Sequence, residues 1–125
     1  MAQDLEGAVC QALDQFRIEL PSWGFANTGS RFGKFMQPAA ATNLAEKFSD
    51  AGMVNQLTGA CPTVALHAIW DLPNGLKDVP HVEQLARKCG VVAGSINPNV
   101  FQGQEYKFGA AGNPDPAIQI GRAHV

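Results

Sequence analysis

Apolar residues recur along this chain with two spacings, one typical of helices and one typical of strands. Near the N-terminus they return every three or four positions, which predicts an amphipathic helix with the stripe Leu5, Ala8, Val9, Ala12, Leu13 and Phe16. The same spacing predicts a second helix over residues 44–58, with either Thr42 or Asn43 as its N-cap. Gly59 follows it as a typical C-cap.

A third helix and the start of a fourth follow further along the chain. The third ends before Gly90, and one of its faces carries Val82, Leu85, Ala86 and Cys89. Asp115 and Pro116 have the pattern of an N-cap and a first helical turn. Between these helices, three short segments at 16–22, 63–69 and 91–96 have the character of β-strands.

The alternation of strands and helices predicts the α/β class, with parallel strands joined by helical crossovers and adjacent in chain order. Long polar loops follow the first and third strands, at residues 24–42 and 100–116. Parallel α/β proteins place their sites at the carboxyl ends of the strands, so these loops are expected to border a site.

Strict alternation along the predicted strands divides their side chains between two faces. In the second strand it predicts that the aliphatic set Val64, Leu66, Ala68 and Trp70 meets the helices. The opposite face then carries Thr63, Ala65, His67 and Ile69, joined by Arg17 and Glu19 from the first strand and by Ala93, Ser95, Asn97 and Asn99 from the third. This face is unusually polar. His67 is therefore interpreted either as a hydrogen-bonded core residue or as part of a site.

Length and charge narrow the range of functions. The chain has 125 residues and a net charge of -2, which fits one globular domain and offers no basic surface for nucleic acid or an anionic membrane. It has no apolar run of membrane-spanning length and no signal-peptide pattern, so we expect a cytoplasmic protein.

Cys10, Cys61 and Cys89 have no metal-binding spacing and are expected to be reduced thiols. No phosphate-binding glycine motif occurs.

Three long stretches, RIELPSWGFANTGSRFGKF, GACPTVALHAIWDLP and AGSINPNVFQGQEYKFG, resemble the N-terminal portion of the L-rhamnose isomerase family, in the xylose-isomerase-like TIM-barrel superfamily. The resemblance covers about residues 15–118 and implies a partial TIM (β/α)8 barrel with about three parallel strands and intervening helices. Residues 1–119 are assigned to this barrel. The last six letters, IGRAHV, match one reading frame of a common sequencing adapter, so residues 120–125 are expected to be a non-native tail, with a natural loop as the alternative.

The resemblance implies a metal-dependent aldose-ketose isomerase that converts L-rhamnose to L-rhamnulose by ring opening and a hydrogen shift between C1 and C2. It also implies a homo-oligomeric full-length enzyme with divalent cations, expected to be Mn²⁺, held by residues of later strands. This chain lacks those strands, so alone it is expected to bind no metal and to be inactive. Two alternatives remain open: another sugar or hydroxy-acid isomerase of the superfamily, or a sugar-binding module without catalysis.

The family's functional positions carry over to particular residues here. His67 matches the histidine implicated in ring opening, and Asp71 is expected to orient that histidine or the substrate. Trp23 matches a wall of the sugar pocket, and Phe32 matches an aromatic residue that reaches a neighbouring subunit's site. Asn97, Asn99 and Phe101 are expected to line the end of the third strand. Each position also has a structural interpretation: Trp23 and Trp70 as core aromatics, Asp71 as the start of a loop, Phe32 as a surface aromatic.

Overall fold

The computed structural model describes residues 2–27, 36–100 and 103–121. A three-stranded sheet lies at its centre, formed by β1 (Glu19–Pro21), β2 (Thr63–His67) and β3 (Val92–Asn97). All strands are parallel, and they are adjacent in the order β1-β2-β3. The predicted α/β arrangement with parallel, sequentially ordered strands is confirmed.

The residues that the structure describes form five α-helices beside the sheet: α1 (Ala2–Gln15), α2 (Leu44–Thr58), α3 (Ala68–Asp71), α4 (Val79–Cys89) and α5 (Pro116–Gly121). Short 3-10 turns cover Ser22–Phe25, Gly75–Asp78 and Gln104–Phe108. Across the described ranges, no helix is both long and apolar enough to cross a membrane.

Local side-chain chemistry sets the bounds of α2. The side chain of Asn43 accepts a hydrogen bond from the backbone N–H of Glu46 at 3.0 Å, and the Glu46 carboxylate accepts from the N–H of Thr42 at 2.6 Å. The first contact satisfies a donor that the first helical turn leaves open, and the second ties the residue before the N-cap to that turn. At the other end Gly59 adopts a left-handed conformation, with φ at 66°, which glycine tolerates best.

The hydrophobic core lies between one face of the sheet and the helices α2 and α4. We call this side the helix face and the opposite side the His67 face. Eight buried residues form the core, and they are Phe48, Ala51, Val64, Leu66, Leu72, Val82, Ala86 and Val91. The predicted stripes of α2 and α4 and the aliphatic side of β2 supply most of them. By contrast, the stripe of α1 is largely exposed, with Leu13 68% accessible.

The first strand is shorter than predicted. It begins at Glu19, so Arg17 precedes the sheet and the expectation that it faces inward with Glu19 was wrong. The Arg17 guanidinium instead donates to the backbone carbonyls of Asp14 and Phe16, at 2.7 and 2.8 Å. Arg17 therefore caps the end of α1.

A bulge in the pairing of β2 with β3 changes which side chains of β3 meet the helices. The step from Val64 to Leu66 on β2 corresponds to the longer step from Ala93 to Ile96 on β3. The extra residue reverses the alternation. Ala93 therefore packs against the core on the helix face, and its prediction on the opposite face was wrong. Beyond the bulge, Asn97 lies on the His67 face.

A carboxylate from β1 fills the gap that the bulge leaves. The Glu19 side chain accepts hydrogen bonds from the Ser95 N–H at 2.6 Å and from the Ser95 hydroxyl at 2.9 Å. A Cβ atom on Gly94 would lie 1.6 Å from the Glu19 carboxylate. Glycine at this position therefore allows the first and third strands to be tied together across the second.

Candidate functional site

His67 is the last residue of β2 and lies at the carboxyl edge of the sheet. It pairs with Asn97 of β3, and its side chain is on the face opposite to Leu66. The residue is only 3% accessible. The strand ends two residues earlier than predicted, because α3 begins immediately afterwards.

The early start of α3 determines the surroundings of the His67 ring. Strand alternation predicted Trp70 toward the helices and Ile69 beside His67, and both predictions were wrong because these residues are helical. One helical turn instead brings the Trp70 indole over the imidazole, with ring centroids 3.8 Å apart and planes 20° from parallel. Trp23, from the turn after β1, meets the same ring edge-on at 6.1 Å and 84°. We call His67, Trp23 and Trp70 the three-ring cluster.

The protonation of His67 follows from its contacts. Its Nδ1 accepts a hydrogen bond from the Ile69 N–H at 3.4 Å, which in the neutral ring assigns the proton to Nε2. Burial lowers the pKa of His67 below its usual 6.5; the Asp71 charge opposes this shift and the Lys47 charge adds to it. The ring is therefore neutral at pH 7.

Asp71, the last residue of α3, is buried and accepts three hydrogen bonds. Its Oδ1 pairs with the Lys47 ammonium group at 2.7 Å. Its Oδ2 accepts from the His67 backbone N–H at 2.7 Å and from the Ser22 hydroxyl. Asp71 thus contacts the main chain of His67 rather than its ring. Removing one partner of such a buried ion pair typically costs about 3–5 kcal/mol.

The other predicted site residues differ in burial and in whether the structure describes them. Asn97 is exposed and Asn99 is half-buried beyond the end of β3. The Asn99 Oδ1 atom is buried and has no hydrogen-bond partner within the described part of the chain. Phe32 and Phe101 fall outside the described residues. The structure therefore brings His67, Asp71 and Trp23 together, with Asn97 beside His67 in the sheet.

Three residues of this region were not predicted as site residues: Ser22, Lys47 and Trp70. The burial of Lys47 could have been suspected from the sequence, because this residue interrupts the apolar stripe of α2 between Leu44 and Ala51. A charged side chain at such a position needs a buried partner. Trp70 would have been predicted to lie beside His67 if a helix had been assigned directly after that residue. Ser22 carries no local sequence signal, because its partner is 49 positions away.

No group of three or more His, Cys, Asp or Glu side chains that could hold a metal ion occurs in the described ranges. An apolar cavity opens on the helix side of the sheet edge, and its lining includes Ile69, Leu72, Leu76 and Ile96. A sugar carries hydroxyl groups on nearly every carbon and requires hydrogen-bonding partners, so this cavity does not suit a sugar.

Comparison with known proteins adds a second line of information. No protein-family model matches the chain. A curated "Probable sugar isomerase" of Mesorhizobium japonicum is 34% identical over 115 residues, which cover 86% of this chain and 25% of that protein. Another "Probable sugar isomerase", from Rhizobium meliloti, is 31% identical over 117 residues, covering 90% of this chain and 26% of that protein. The chain is similar to proteins named as sugar isomerases.

These matches extend along nearly the whole chain, including β1, β2 and β3 and the three-ring cluster. The chain spans about a quarter of the length of the curated relatives it matches.

Proposed function

We propose that this chain is the N-terminal, ring-opening part of a sugar isomerase that interconverts L-rhamnose and L-rhamnulose. Two observations support the proposal: the similarity to proteins named as sugar isomerases, and the neutral, buried imidazole at the carboxyl end of a parallel strand. The similarity carries the assignment to sugar isomerases. The position of the imidazole assigns the ring-opening step to His67, because its neutral ring can offer an Nε2–H to the ring oxygen of a sugar.

Ring opening is an overall proton transfer within the sugar. The bond between C1 and the ring oxygen breaks with its electron pair on the oxygen, the ring oxygen gains a proton, and the hydroxyl on C1 loses one to become a carbonyl. The Nε2–H of neutral His67 is the hydrogen-bond donor that we assign to the ring oxygen. His67 keeps this proton, because its loss would leave an imidazolate; the proton that the ring oxygen gains is the one that the C1 hydroxyl loses, relayed by water. The Nε2–H stabilises the negative charge that develops on the ring oxygen as the bond breaks.

The surrounding side chains fit a sugar. Indole faces pack well against sugar C–H groups, so Trp23 is assigned to the wall of the sugar pocket. The amides of Asn97 and Asn99 can donate to and accept from hydroxyl groups. Phe101 is proposed to line the same end of β3, and Phe32 to reach the site of a neighbouring subunit in a homo-oligomer.

The hydrogen shift between C1 and C2 is proposed to depend on a divalent cation, with Mn²⁺ as the first candidate, which would polarise the two sugar oxygens. The described residues do not fit a metal site, because they gather no group of three ligands. We therefore assign the metal ligands to other parts of the full-length protein. We further propose that the three strands belong to a TIM barrel and that the enzyme is cytoplasmic.

The test is an isomerase assay on the full-length protein that contains this chain. L-rhamnose and a panel of other aldoses and 2-hydroxy acids are supplied with Mn²⁺, and the product is identified by chromatography. We expect L-rhamnulose, and loss of activity on chelation of the metal. Preferred conversion of another aldose or a hydroxy acid would replace the substrate assignment, whereas sugar binding without any ketose product would indicate a binding module.

A further inference from the structure

Lys47 is an unusual residue for the core side of a helix. It lies in α2, is only 7% accessible, and is adjacent to Phe48, which is fully buried. Lysine is almost never buried without a partner, since its ammonium group loses strong hydration. The partner here is the Asp71 carboxylate, 2.7 Å away and itself only 2% accessible.

The Asp71 carboxylate, which Lys47 contacts, is linked to the backbone at or next to each residue of the three-ring cluster. Asp71 accepts from the backbone N–H of His67, which ends β2 and turns the chain into α3. It accepts from the hydroxyl of Ser22, the residue before Trp23. Asp71 itself follows Trp70 in α3. One carboxylate therefore anchors the three backbone segments that carry the rings.

We propose that Lys47 is a positioning residue for His67, acting through the buried Asp71 carboxylate that anchors the three-ring cluster. The inference rests on the proposed function, because it assigns Lys47 a role in the ring-opening step. In this role Lys47 acts without touching the substrate. It holds the Asp71 oxygens in the orientation that accepts from His67 and Ser22.

The charges around His67 add a readout that does not depend on turnover. Within the described part of the chain, the charged groups that act on His67 are Asp71 from α3 and Lys47 from α2, with opposite effects on the pKa. Among the described residues, Asn97 of the sheet and Trp23 of the turn after β1 also lie beside His67, and both are uncharged. Removing each charge separately should therefore shift the pKa of His67 in opposite directions.

The experiment compares three variants of the full-length protein: Lys47→Met, Asp71→Asn, and the two combined. The pKa of the His67 ring is measured by NMR on the substrate-free protein and assigned with His67→Asn. We expect Lys47→Met to raise it and Asp71→Asn to lower it, each by about 0.5 unit or more, and the double variant to lie between them. An unmoved pKa in Lys47→Met, or a shift of the same sign in both single variants, would overturn the inference.

Kinetics supply the second readout. Lys47→Met is expected to lower kcat about tenfold with little change in KM, because the ring is displaced rather than the sugar contacts removed. Lys47→Arg keeps the charge and should retain more of kcat. In the Asp71→Asn background, Lys47→Met should change kcat by less than about twofold, because Lys47 then has no carboxylate to orient. An equal loss in both backgrounds would contradict an action through Asp71.

The matched control is Lys88→Met, which removes an exposed lysine of α4 and should leave both the His67 pKa and kcat unchanged. If Lys47→Met does not fold, Ser22→Ala removes another donor to the same carboxylate and should still lower kcat about threefold. Unchanged kcat and pH profile in Ser22→Ala would then count against the inference. The NMR measurement needs no turnover, so it still tests the coupling of Lys47 to His67 if the proposed isomerase activity is absent.

Discussion

The ends of β2 and β3 lie side by side at the same edge of the sheet, but they differ in how their polar groups are supported. At the end of β2, Asp71 is buried and accepts from three donors, and the His67 ring is enclosed by two indoles. At the end of β3, Asn97 is exposed, and the Asn99 oxygen lacks a hydrogen-bond partner within the described residues.

This difference indicates that the two ends contribute in different ways. The end of β2 is preorganised by contacts contained in this chain, so its geometry exists before any substrate arrives. At the end of β3 the Asn97 amide is exposed, and the described residues give the Asn99 amide oxygen no hydrogen-bond partner. We expect their positions to be set by the sugar or by other parts of the full-length protein.

The largest expected effect is a difference in protein stability between variants at the two strand ends. Asp71→Ala leaves the Lys47 ammonium group buried without its partner, which should lower the free energy of unfolding of the full-length protein by about 3–5 kcal/mol. Asn97→Ala, at the exposed counterpart, should change it by less than about 0.5 kcal/mol. Urea denaturation measures both. Similar values for the two variants would remove the distinction between the ends.

A smaller effect should appear in the pH dependence of stability. The folded-state pKa of His67 lies below the unfolded value of 6.5, so the unfolded protein binds more protons in the interval between them. Stability should be complete above about pH 6.5 and fall as the pH decreases toward the lowered pKa. Urea midpoints should therefore decline less for His67→Asn than for the unmodified protein. Parallel curves would show that the buried ring does not contribute.

The smallest expected effect concerns how β3 is tied to the rest of the sheet. Gly94→Ala would displace the Glu19 carboxylate from Ser95 and should lower the free energy of unfolding by roughly 1 kcal/mol. In a Glu19→Ala background the same substitution should cost much less, because no carboxylate remains to clash. Additive effects in this double-mutant cycle would contradict the proposed tie between β1 and β3.

Periodic spacing was sufficient to predict much of the fold. It predicted the bounds of α2 and the core face of α4, because both depend on contacts that repeat every three or four residues. The order of the parallel strands followed from the alternation of strands with helices. The spacing also predicted that His67 lies on the face opposite to Val64 and Leu66. The wrong predictions occurred where one non-local contact or one inserted residue interrupts a repeat.

Two such interruptions explain what the sequence did not reveal. The His67 N–H is bonded to a side chain of α3 instead of continuing the strand, so alternation stops before Trp70. The bulge in β3 adds one residue, which reverses the orientation of Ala93. The pairing of Lys47 with Asp71 spans 24 positions and could be suspected only from a lysine within an apolar stripe.

The central claim, that His67 acts in opening the sugar ring, is tested most directly by comparing a cyclic with an acyclic substrate. In the full-length protein, kcat is measured for L-rhamnose and for glyceraldehyde, a three-carbon aldose too short to close a sugar ring. His67→Asn should lower kcat for L-rhamnose by about 100-fold or more and for glyceraldehyde by less than about threefold. His81→Asn, at an exposed position of α4, is the control. Equal losses on both substrates, or an unchanged kcat for L-rhamnose, would contradict the ring-opening role.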